Sequence, residues 1–307
     1  MGLALSTSWN AFRTTSAETL LSEIHDAGFD EIELSFNLLP SFVDEIARLI
    51  PTKNAKVVSL HNFCPIPDGV ERQSALPDCF SMSSIDEDER VRSVAQTKKT
   101  IETAARLGAR AVVLHTGRVQ IEDRTRDLIR LFETGNVHTK SFQDLKDDMA
   151  RERKERRQPF LDNTFRSLEE LDGYARSRHI LLGVETRFYY REIPCLDEIP
   201  MVLERFKGSQ IRYWHDCGHA QLMEHLGFCR HEDFLDAGRD ALVGVHLHGI
   251  RGCSDHQAPV NSDFDFKRLL PYISRDTIKV IEAHHPATAD QIRESKRFLE
   301  AAFDGKI

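Results

Sequence analysis

The sequence has no apolar run long enough to cross a membrane. A transmembrane helix needs about 20 consecutive apolar residues, and no run of that length occurs among the 307 residues. The first methionine is also not followed by the apolar segment that marks a secretory signal peptide. We therefore predict a cytoplasmic protein with no membrane partner.

Paired cysteines and excess positive charge are also lacking. The six cysteines include no Cys-x-x-Cys pair, so we expect free thiols and no structural zinc site made of thiolates. The formal net charge is −8. Nucleic acids are usually bound by clustered Lys and Arg, so this charge argues weakly against a nucleic-acid partner. The sequence leaves open the alternative that a local basic groove binds nucleic acid, and Arg151–Arg157 is the candidate for it.

Short apolar runs rich in Val, Ile and Leu alternate with longer amphipathic segments along the whole chain. This alternation is typical of a parallel sheet with helical crossovers, and eight strand–helix units close a barrel. We therefore predict an α/β fold, a single (β/α)8 TIM-barrel domain over residues 1–307. The eight predicted strands are Leu3–Ser8, Glu31–Phe36, Lys56–Phe63, Ala111–Gly117, Ile180–Arg187, Ile211–His215, Leu242–His248 and Thr277–Ala283.

Local signals support the intervening helices. Gly28 and Gly108 each stand just before a predicted strand, where a glycine commonly ends a helix. One predicted helix has an apolar face made of Val91, Val94, Ala95, Ile101 and Ala105. Residues 118–163 interrupt the alternation after the fourth strand. We predict that they form a helical insertion over the barrel mouth, and we interpret its charged run Arg151–Pro159 as a solvated helix face.

Ionisable side chains stand at the C-terminal ends of predicted strands three to eight. A barrel enzyme collects its active-site residues at this end. One buried imidazole or carboxylate is usually a satisfied core group, but six strands ending in this way predict a shared site. The residues are His61, His115, Glu185, Asp216 with His219, His246 with His248, and Glu282 with His284 and His285.

The donor types at these strand ends indicate a metal. Carboxylates and imidazoles suit Mn²⁺, Mg²⁺, Co²⁺, Fe²⁺ or Zn²⁺, and mixed oxygen and nitrogen ligands do not distinguish among these ions. We favour Mn²⁺ or Zn²⁺. Because no paired cysteines lie nearby, we expect a catalytic ion.

Several segments resemble the xylose isomerase-like TIM-barrel superfamily, which includes sugar isomerases, sugar epimerases and apurinic-site nucleases of the endonuclease IV type. The resemblance covers almost the whole chain and is specific for the superfamily, but it does not identify a substrate. It is carried by AGFDEIEL (27–34), LHNF (60–63), LHTG (114–117), VET (184–186), HDCGHA (215–220), VHLHG (245–249), DHQAP (255–259) and VIEAHH (280–285).

The isomerase and epimerase members imply a specific site. By this resemblance, one divalent cation is bound by Glu185, Asp216, His246 and Glu282, and the two glutamates are the catalytic pair on opposite sides of the substrate carbon. A cation beside a carbonyl makes the α-proton acidic, so one carboxylate can remove it and the other can return it. The implied partner is a small sugar-like molecule.

The resemblance also suggests residues that bind the substrate and a further partner. His219 and Arg251 match substrate positions in epimerases, although the match at Arg251 is loose. We add His248, which stands at the same strand end as His246. Relatives of this kind commonly form dimers or tetramers, so a further copy of the same chain is an additional partner that the sequence leaves open.

The nuclease members imply an alternative, metal-dependent phosphodiester hydrolysis with three zinc ions. The candidates for the additional metal or substrate contacts are His61, His115, His219, Asp255 and His256. One feature departs from the nuclease pattern: Asp255 directly precedes His256, whereas the nucleases separate this pair by one residue. The loops also show little clustering of basic residues. We therefore place isomerisation or epimerisation first.

Overall fold

The computed structural model of the protein describes residues 2–303 and contains a closed barrel of eight parallel strands. The barrel strands are β1 (Ala4–Ser6), β2 (Glu31–Leu34), β3 (Lys56–His61), β4 (Ala111–Leu114), β5 (Leu181–Glu185), β6 (Ile211–Asp216), β7 (Leu242–Leu247) and β10 (Ile278–Ile281). Their order around the barrel is β1, β10, β7, β6, β5, β4, β3 and β2. Strands β8 (Gly249–Arg251) and β9 (Ser254–Gln257) form an antiparallel hairpin after β7. The ends of the predicted domain, residue 1 and residues 304–307, lie outside the described residues.

Helices surround the barrel, which confirms the predicted (β/α)8 architecture. They are α1 (Ala17–Asp26), α2 (Pro40–Lys53), α3 (Glu87–Arg106), α4 (Thr125–Glu133), α5 (Lys140–Arg156), α6 (Gln158–Arg176), α7 (Glu198–Arg205), α8 (Cys217–His225), α9 (His231–Gly238) and α10 (Ala289–Ala302). Within residues 2–303, none of them combines the length and apolarity that a membrane crossing requires. All six cysteines carry free thiols, as expected.

The two predicted helix-ending glycines have the backbone conformation that this role requires. Gly28 has φ 91° and Gly108 has φ 70°. At the end of α1, the amide of Phe29 donates to the carbonyl of Ile24, and the amide of Gly28 donates to the carbonyl of His25. These two bonds define a Schellman motif, which turns the chain directly into β2.

The buried face of α3 differs from the predicted apolar face. Val94 and Ile101 are buried, as predicted, but Val91, Ala95 and Ala105 are exposed. The buried face consists of Arg90, Ser93, Val94, Thr97, Thr100, Ile101, Thr103 and Ala104. The prediction was wrong for three of its five residues because polar groups are satisfied on the buried face: the side-chain amide of Asn62 donates to Thr97, and the backbone amide of Cys64 donates to Thr100.

The insertion after β4 is helical, as predicted, but it is shorter. Helices α4 and α5 form it, and α6 begins at Gln158, before the predicted end at residue 163. The charged run in α5 is also not entirely solvated. Arg153 is 2% exposed, and its guanidinium donates to Glu198 and to the carbonyls of Tyr190 and Glu192. This buried ion pair fixes the insertion against the loop after β5.

Trp214 of β6 is fully buried in an apolar cluster formed by residues of the barrel strands. Gly183 on β5 and Gly244 on β7 flank it and leave room for the indole, because a Cβ atom at Gly244 would lie 2.3 Å from the Trp214 ring. The ring centres of Trp214 and His246 are 5.1 Å apart. The apolar interior thus packs directly against the polar end of the barrel.

Candidate metal centre

Four buried ligand-type side chains meet at the C-terminal ends of neighbouring strands. Glu185 ends β5, Asp216 ends β6, His246 lies in β7, and Glu282 follows β10. One potential ligand atom from each residue lies within 4.8 Å of the others, and all four side chains are buried. The structure therefore brings together the four residues that the sequence suggested as ligands. Their role as ligands stays a prediction.

His246 is oriented by carboxylates on both sides of its ring. Its Nδ1 atom lies 2.7 Å from Glu185 Oε1 and 2.9 Å from Glu282 Oε2. Its Nε2 atom lies 3.1 Å from Glu33 Oε1, and the Ser59 hydroxyl donates to the same carboxylate. An Nε2–H donated to Glu33 leaves Nδ1 as the atom that faces the centre, the usual arrangement when a second residue orients a metal-binding histidine.

Glu33 was not identified from the sequence as part of the site. It lies in β2, inside the segment AGFDEIEL, and it is fully buried. A charged residue at an inward position of a short apolar strand is costly unless it has a partner. That pattern was the available signal, but it does not reveal which side chain Glu33 contacts.

The electrostatics of the four-residue centre favour a cation. Burial opposes the ionisation of Glu185, yet His246 and His115 hold its pKa well below the ordinary value. Burial likewise opposes protonation of His246, but surrounding carboxylates, chiefly those of Glu282 and Glu33, hold its pKa well above the ordinary value. Protons on imidazoles thus compensate a group of buried carboxylates. A divalent cation fits the same place, because the donor set is oxygen and nitrogen only.

A second ligand-type group shares Glu185. His115 Nε2 lies 2.7 Å from Glu185 Oε2, and His61 Nε2 lies 3.5 Å from the same oxygen. The other ring nitrogen of His115 lies 3.0 Å from Asp78 Oδ2, and Arg187 donates to the same Asp78 oxygen. The sequence did not identify Asp78, because it lies in the irregular segment after β3.

A third group lies on the other side of the centre, around Asp216. His248 Nε2 lies 2.9 Å from both Asp216 oxygens, and His219 Nδ1 lies 3.4 Å from Asp216 Oδ1. His256 completes the group of potential ligands, with Asp255 Oδ2 at 2.9 Å from its Nδ1 atom and at 3.5 Å from His219 Nε2.

The local backbone explains how Asp255 and His256 reach the same site although they are adjacent in sequence. Successive side chains of a regular strand point to opposite faces. His256 has φ 52°, in the left-handed region that interrupts this alternation. Both side chains therefore line the same cavity, without the intervening residue of the nuclease pattern.

Two residues predicted to contact the substrate lie elsewhere. Arg251 is exposed in the β8–β9 hairpin, and His248 is fully buried behind Asp216. Among residues 2–303, neither belongs to the side chains that line the central cavity, whereas His219 does. The substrate-binding roles of all three residues stay predictions.

The three groups open into one cavity of about 740 Å³. Its floor includes His61, His115, Glu185 and Glu282. Phe36 and Phe188 provide apolar wall surface, and helix α4 of the insertion forms another part of the wall. This volume is in the range of small-molecule sites.

Comparison with known families agrees with this architecture. The model of the xylose isomerase-like TIM barrel family matches residues 21–302. The chain therefore belongs to that family, which confirms the resemblance found in the sequence motifs. No curated protein sequence gives a significant match.

Solved structures of similar fold include several sugar-converting proteins. A D-tagatose 3-epimerase-like protein superposes with a TM-score of 0.67 at 18% identity, over 99% of this chain and 97% of that one. A 3-keto-D-glucoside 4-epimerase from E. coli gives 0.69 at 17% identity, covering 98% and 99%. A putative xylose isomerase from Rhodospirillum rubrum gives 0.70 at 13% identity, covering 100% and 99%. At these identities the agreement concerns the fold.

Proposed function

We propose that the protein is a divalent-metal-dependent isomerase or epimerase of a sugar or sugar derivative. The observation that carries the proposal is the pair Glu185 and Glu282. These buried carboxylates come from strands separated by β6 and β7, contact the same atom of His246, and line the floor of a cavity of small-molecule size. Sugar epimerases among the structures of similar fold support the same class.

The proposed reaction is a proton transfer next to a carbonyl. Glu185, Asp216, His246 and Glu282 would hold the cation, which supplies Lewis-acid polarisation of the substrate carbonyl when bound. One carboxylate of the Glu185 and Glu282 pair then takes the proton from the neighbouring carbon. In an epimerase the other carboxylate returns a proton to the opposite face of that carbon, and in an isomerase the proton returns to the adjacent carbon.

The side chains around the pair suit this role. Both glutamates stay ionised in the folded protein because, although burial raises the pKa of each, His246 and other imidazoles hold it well below the ordinary value. An ionised carboxylate can accept a proton, whereas a protonated one cannot. Phe36 and Phe188 add apolar surface to the lining of the same cavity.

Solvent exchange tests the proposal. Metal-loaded protein should exchange the α-proton of a ketose with deuterated water, and Glu282→Gln should reduce this exchange by at least about a thousandfold because the amide cannot take up the proton. Circular dichroism of this variant should match the wild type, and exchange is compared at saturating metal because Glu282 is also a proposed ligand. The matched control is Glu300→Gln on the exposed side of α10, which should leave exchange unchanged. Absence of exchange with every ketose tried would contradict the proposal.

A second candidate function, phosphodiester hydrolysis at abasic sites, is favoured by one observation. Potential ligands form further groups on both sides of the four-residue centre: His61, His115 and Glu185 on one side, and Asp216, His219, His248 and His256 on the other. Several metal ions could therefore be bound within one cavity. Sites with more than one metal ion are common among phosphodiester hydrolases.

Metal stoichiometry and DNA cleavage distinguish the two functions. The isomerase proposal expects one ion per chain in elemental analysis and no nicking of duplex DNA that contains an abasic site. Three zinc ions per chain together with nicking would contradict the isomerase proposal and support the hydrolase. His115→Ala is the informative variant, because it should abolish hydrolysis if the second group binds zinc, while an exposed variant such as His138→Ala should not.

A further inference from the structure

The insertion contributes a charged wall to the cavity. Helix α4 directs Arg126, Ile129, Arg130 and Glu133 toward it. These residues are spaced by three and four positions, so they lie on one face of the helix. Arg118, at the start of the insertion, lines the same cavity.

Two of the arginines on this wall form no direct ion pair. Within residues 2–303, the guanidinium of Arg118 makes no hydrogen bond and no ion pair, and Arg126 makes no ion pair. Arg118 acts on a carboxylate only at longer range: against the effect of burial, His115, Arg187 and Arg118 hold the pKa of the Asp78 carboxyl well below its ordinary value. Arg126 is instead held by Tyr189, to whose hydroxyl it donates and whose ring centre lies 5.4 Å away. Tyr189 thereby fixes a guanidinium at the cavity with most of its donors free.

The other arginines of the cavity are already engaged. Arg187 contacts Asp78 and Glu192 at 3.0 Å, Arg130 pairs with Asp127, and Arg191 lies 3.7 Å from Asp123. Glu133 is the one exposed carboxylate on the α4 face of the wall, and its charge would repel an anion. Arg118 and Arg126 are therefore the donors available to an anionic ligand.

We infer that Arg118 and Arg126 bind an anionic group, a phosphate or a carboxylate, on the part of the sugar substrate farthest from the metal centre. The inference rests on the proposed function, because it takes the cavity floor as the place of reaction. Guanidinium groups match both anions through paired hydrogen bonds. A cavity of about 740 Å³ also accommodates a six-carbon sugar with such a substituent.

Calorimetric binding to the purified, metal-analysed protein tests the inference with three probes: D-fructose, D-fructose 6-phosphate and D-fructuronate. At least one anionic probe should bind about tenfold or more tightly than D-fructose, and the better of the two identifies phosphate or carboxylate as the preferred group. R118Q and R126Q should each weaken that binding about tenfold, with D-fructose affinity unchanged. Because none of these variants changes the cavity floor, the loss of affinity measures the contribution of Arg118 and Arg126 alone.

The control variant is R151Q. Arg151 lies on the same insertion and is exposed, and it should leave all three affinities unchanged. Equal affinity for anionic and neutral probes, or a loss with R151Q as large as that with R118Q, would overturn the inference. So would a result in which R118Q and R126Q weaken only the binding of duplex DNA. Failure of the proposed function looks different: anion preference would persist without α-proton exchange.

Discussion

At the scale of single residues, the site depends on side chains that would not themselves bind the metal. Glu33 is the clearest example, because its carboxylate accepts from His246 Nε2 and so leaves Nδ1 facing the centre. Replacing Glu33 by Gln removes the charge that holds this orientation. We expect E33Q to lower metal affinity by roughly tenfold to a hundredfold, measured by competition with a chelator.

A control for E33Q exists on the same strand. Glu31 is two residues away in β2, but it pairs with Lys56 near the surface at 2.8 Å. E31Q should therefore bind the metal like the wild type. Equal metal affinity in E33Q and E31Q would show that Glu33 has no part in orienting His246.

His231 belongs to a buried hydrogen-bonded chain beside the barrel. The Tyr213 hydroxyl lies 2.8 Å from His215 Nδ1, and His215 Nε2 lies 3.0 Å from His231 Nε2. Burial lowers the pKa of His231 to about 3. In the unfolded chain an imidazole takes up its proton near pH 6.5, so the unfolded state binds more protons between about pH 6.5 and 3. Folding stability therefore decreases as the pH falls through this window.

The variant H231Q should reduce this acid sensitivity. A group that binds one proton only in the unfolded state changes the free energy of unfolding by about 1.4 kcal/mol per pH unit. Urea unfolding at several pH values below about 6.5 gives the slope of the free energy of unfolding against pH. In H231Q this slope should be smaller than in the wild type by up to this amount. His138, which is exposed on the insertion, provides H138Q as a control for the loss of one imidazole. An equal slope in H231Q and wild type would rule out His231 as a source of acid sensitivity.

At the scale of secondary structure elements, the contact between β6 and β7 depends on glycine. A Cβ atom at Gly244 would lie 2.3 Å from the buried Trp214 ring. Since the ring is enclosed on all sides, the strands would have to shift. We expect G244A to destabilise the protein by about 1 to 3 kcal/mol, measured by urea unfolding.

Gly173 offers the opposite case within α6. A Cβ atom there meets no other atom within 4 Å, and alanine favours a helix over glycine by about 0.5 to 1 kcal/mol. G173A should therefore stabilise the protein slightly. If G244A has the same free energy of unfolding as G173A, the Trp214 ring is not rigidly packed against β7, although its burial indicates that it is.

The elements differ in how well the sequence predicts them. The eight barrel strands are identifiable because each is a short apolar run flanked by polar segments, and the glycine at the end of α1 is identifiable from local backbone demands. The buried face of α3 was predicted only in part because threonine hydroxyls replace apolar groups at Thr97 and Thr100. The same limit applies to Glu33 and Asp78, whose partners lie far away in sequence and are brought near only by barrel closure.

At the scale of the whole molecule, the barrel concentrates acidic and basic groups from seven strands, β2 to β7 and β10, at one end. Burial opposes protonation of His219, but Asp216 and Asp255 raise its pKa to about 9. His256 behaves similarly: Asp255 and Glu282 hold its pKa well above the ordinary value against the effect of burial. Near neutral pH the metal-free cavity therefore holds protonated imidazoles among ionised carboxylates.

Metal binding should consequently release protons and weaken as the pH falls. His246 must offer a neutral Nδ1 atom to a cation, yet the carboxylates of Glu282 and Glu33 favour its protonated form despite burial. A lower pH strengthens this competition. Titrations of metal-free protein with Mn²⁺ or Zn²⁺, repeated in buffers of different ionisation enthalpy, should show at least one proton released per ion. Affinity should fall by up to about tenfold per pH unit between about pH 8 and 6. E33Q, which lacks one of the stabilising carboxylates, should show a smaller proton release. A pH-independent affinity without proton release would place the ion away from His246.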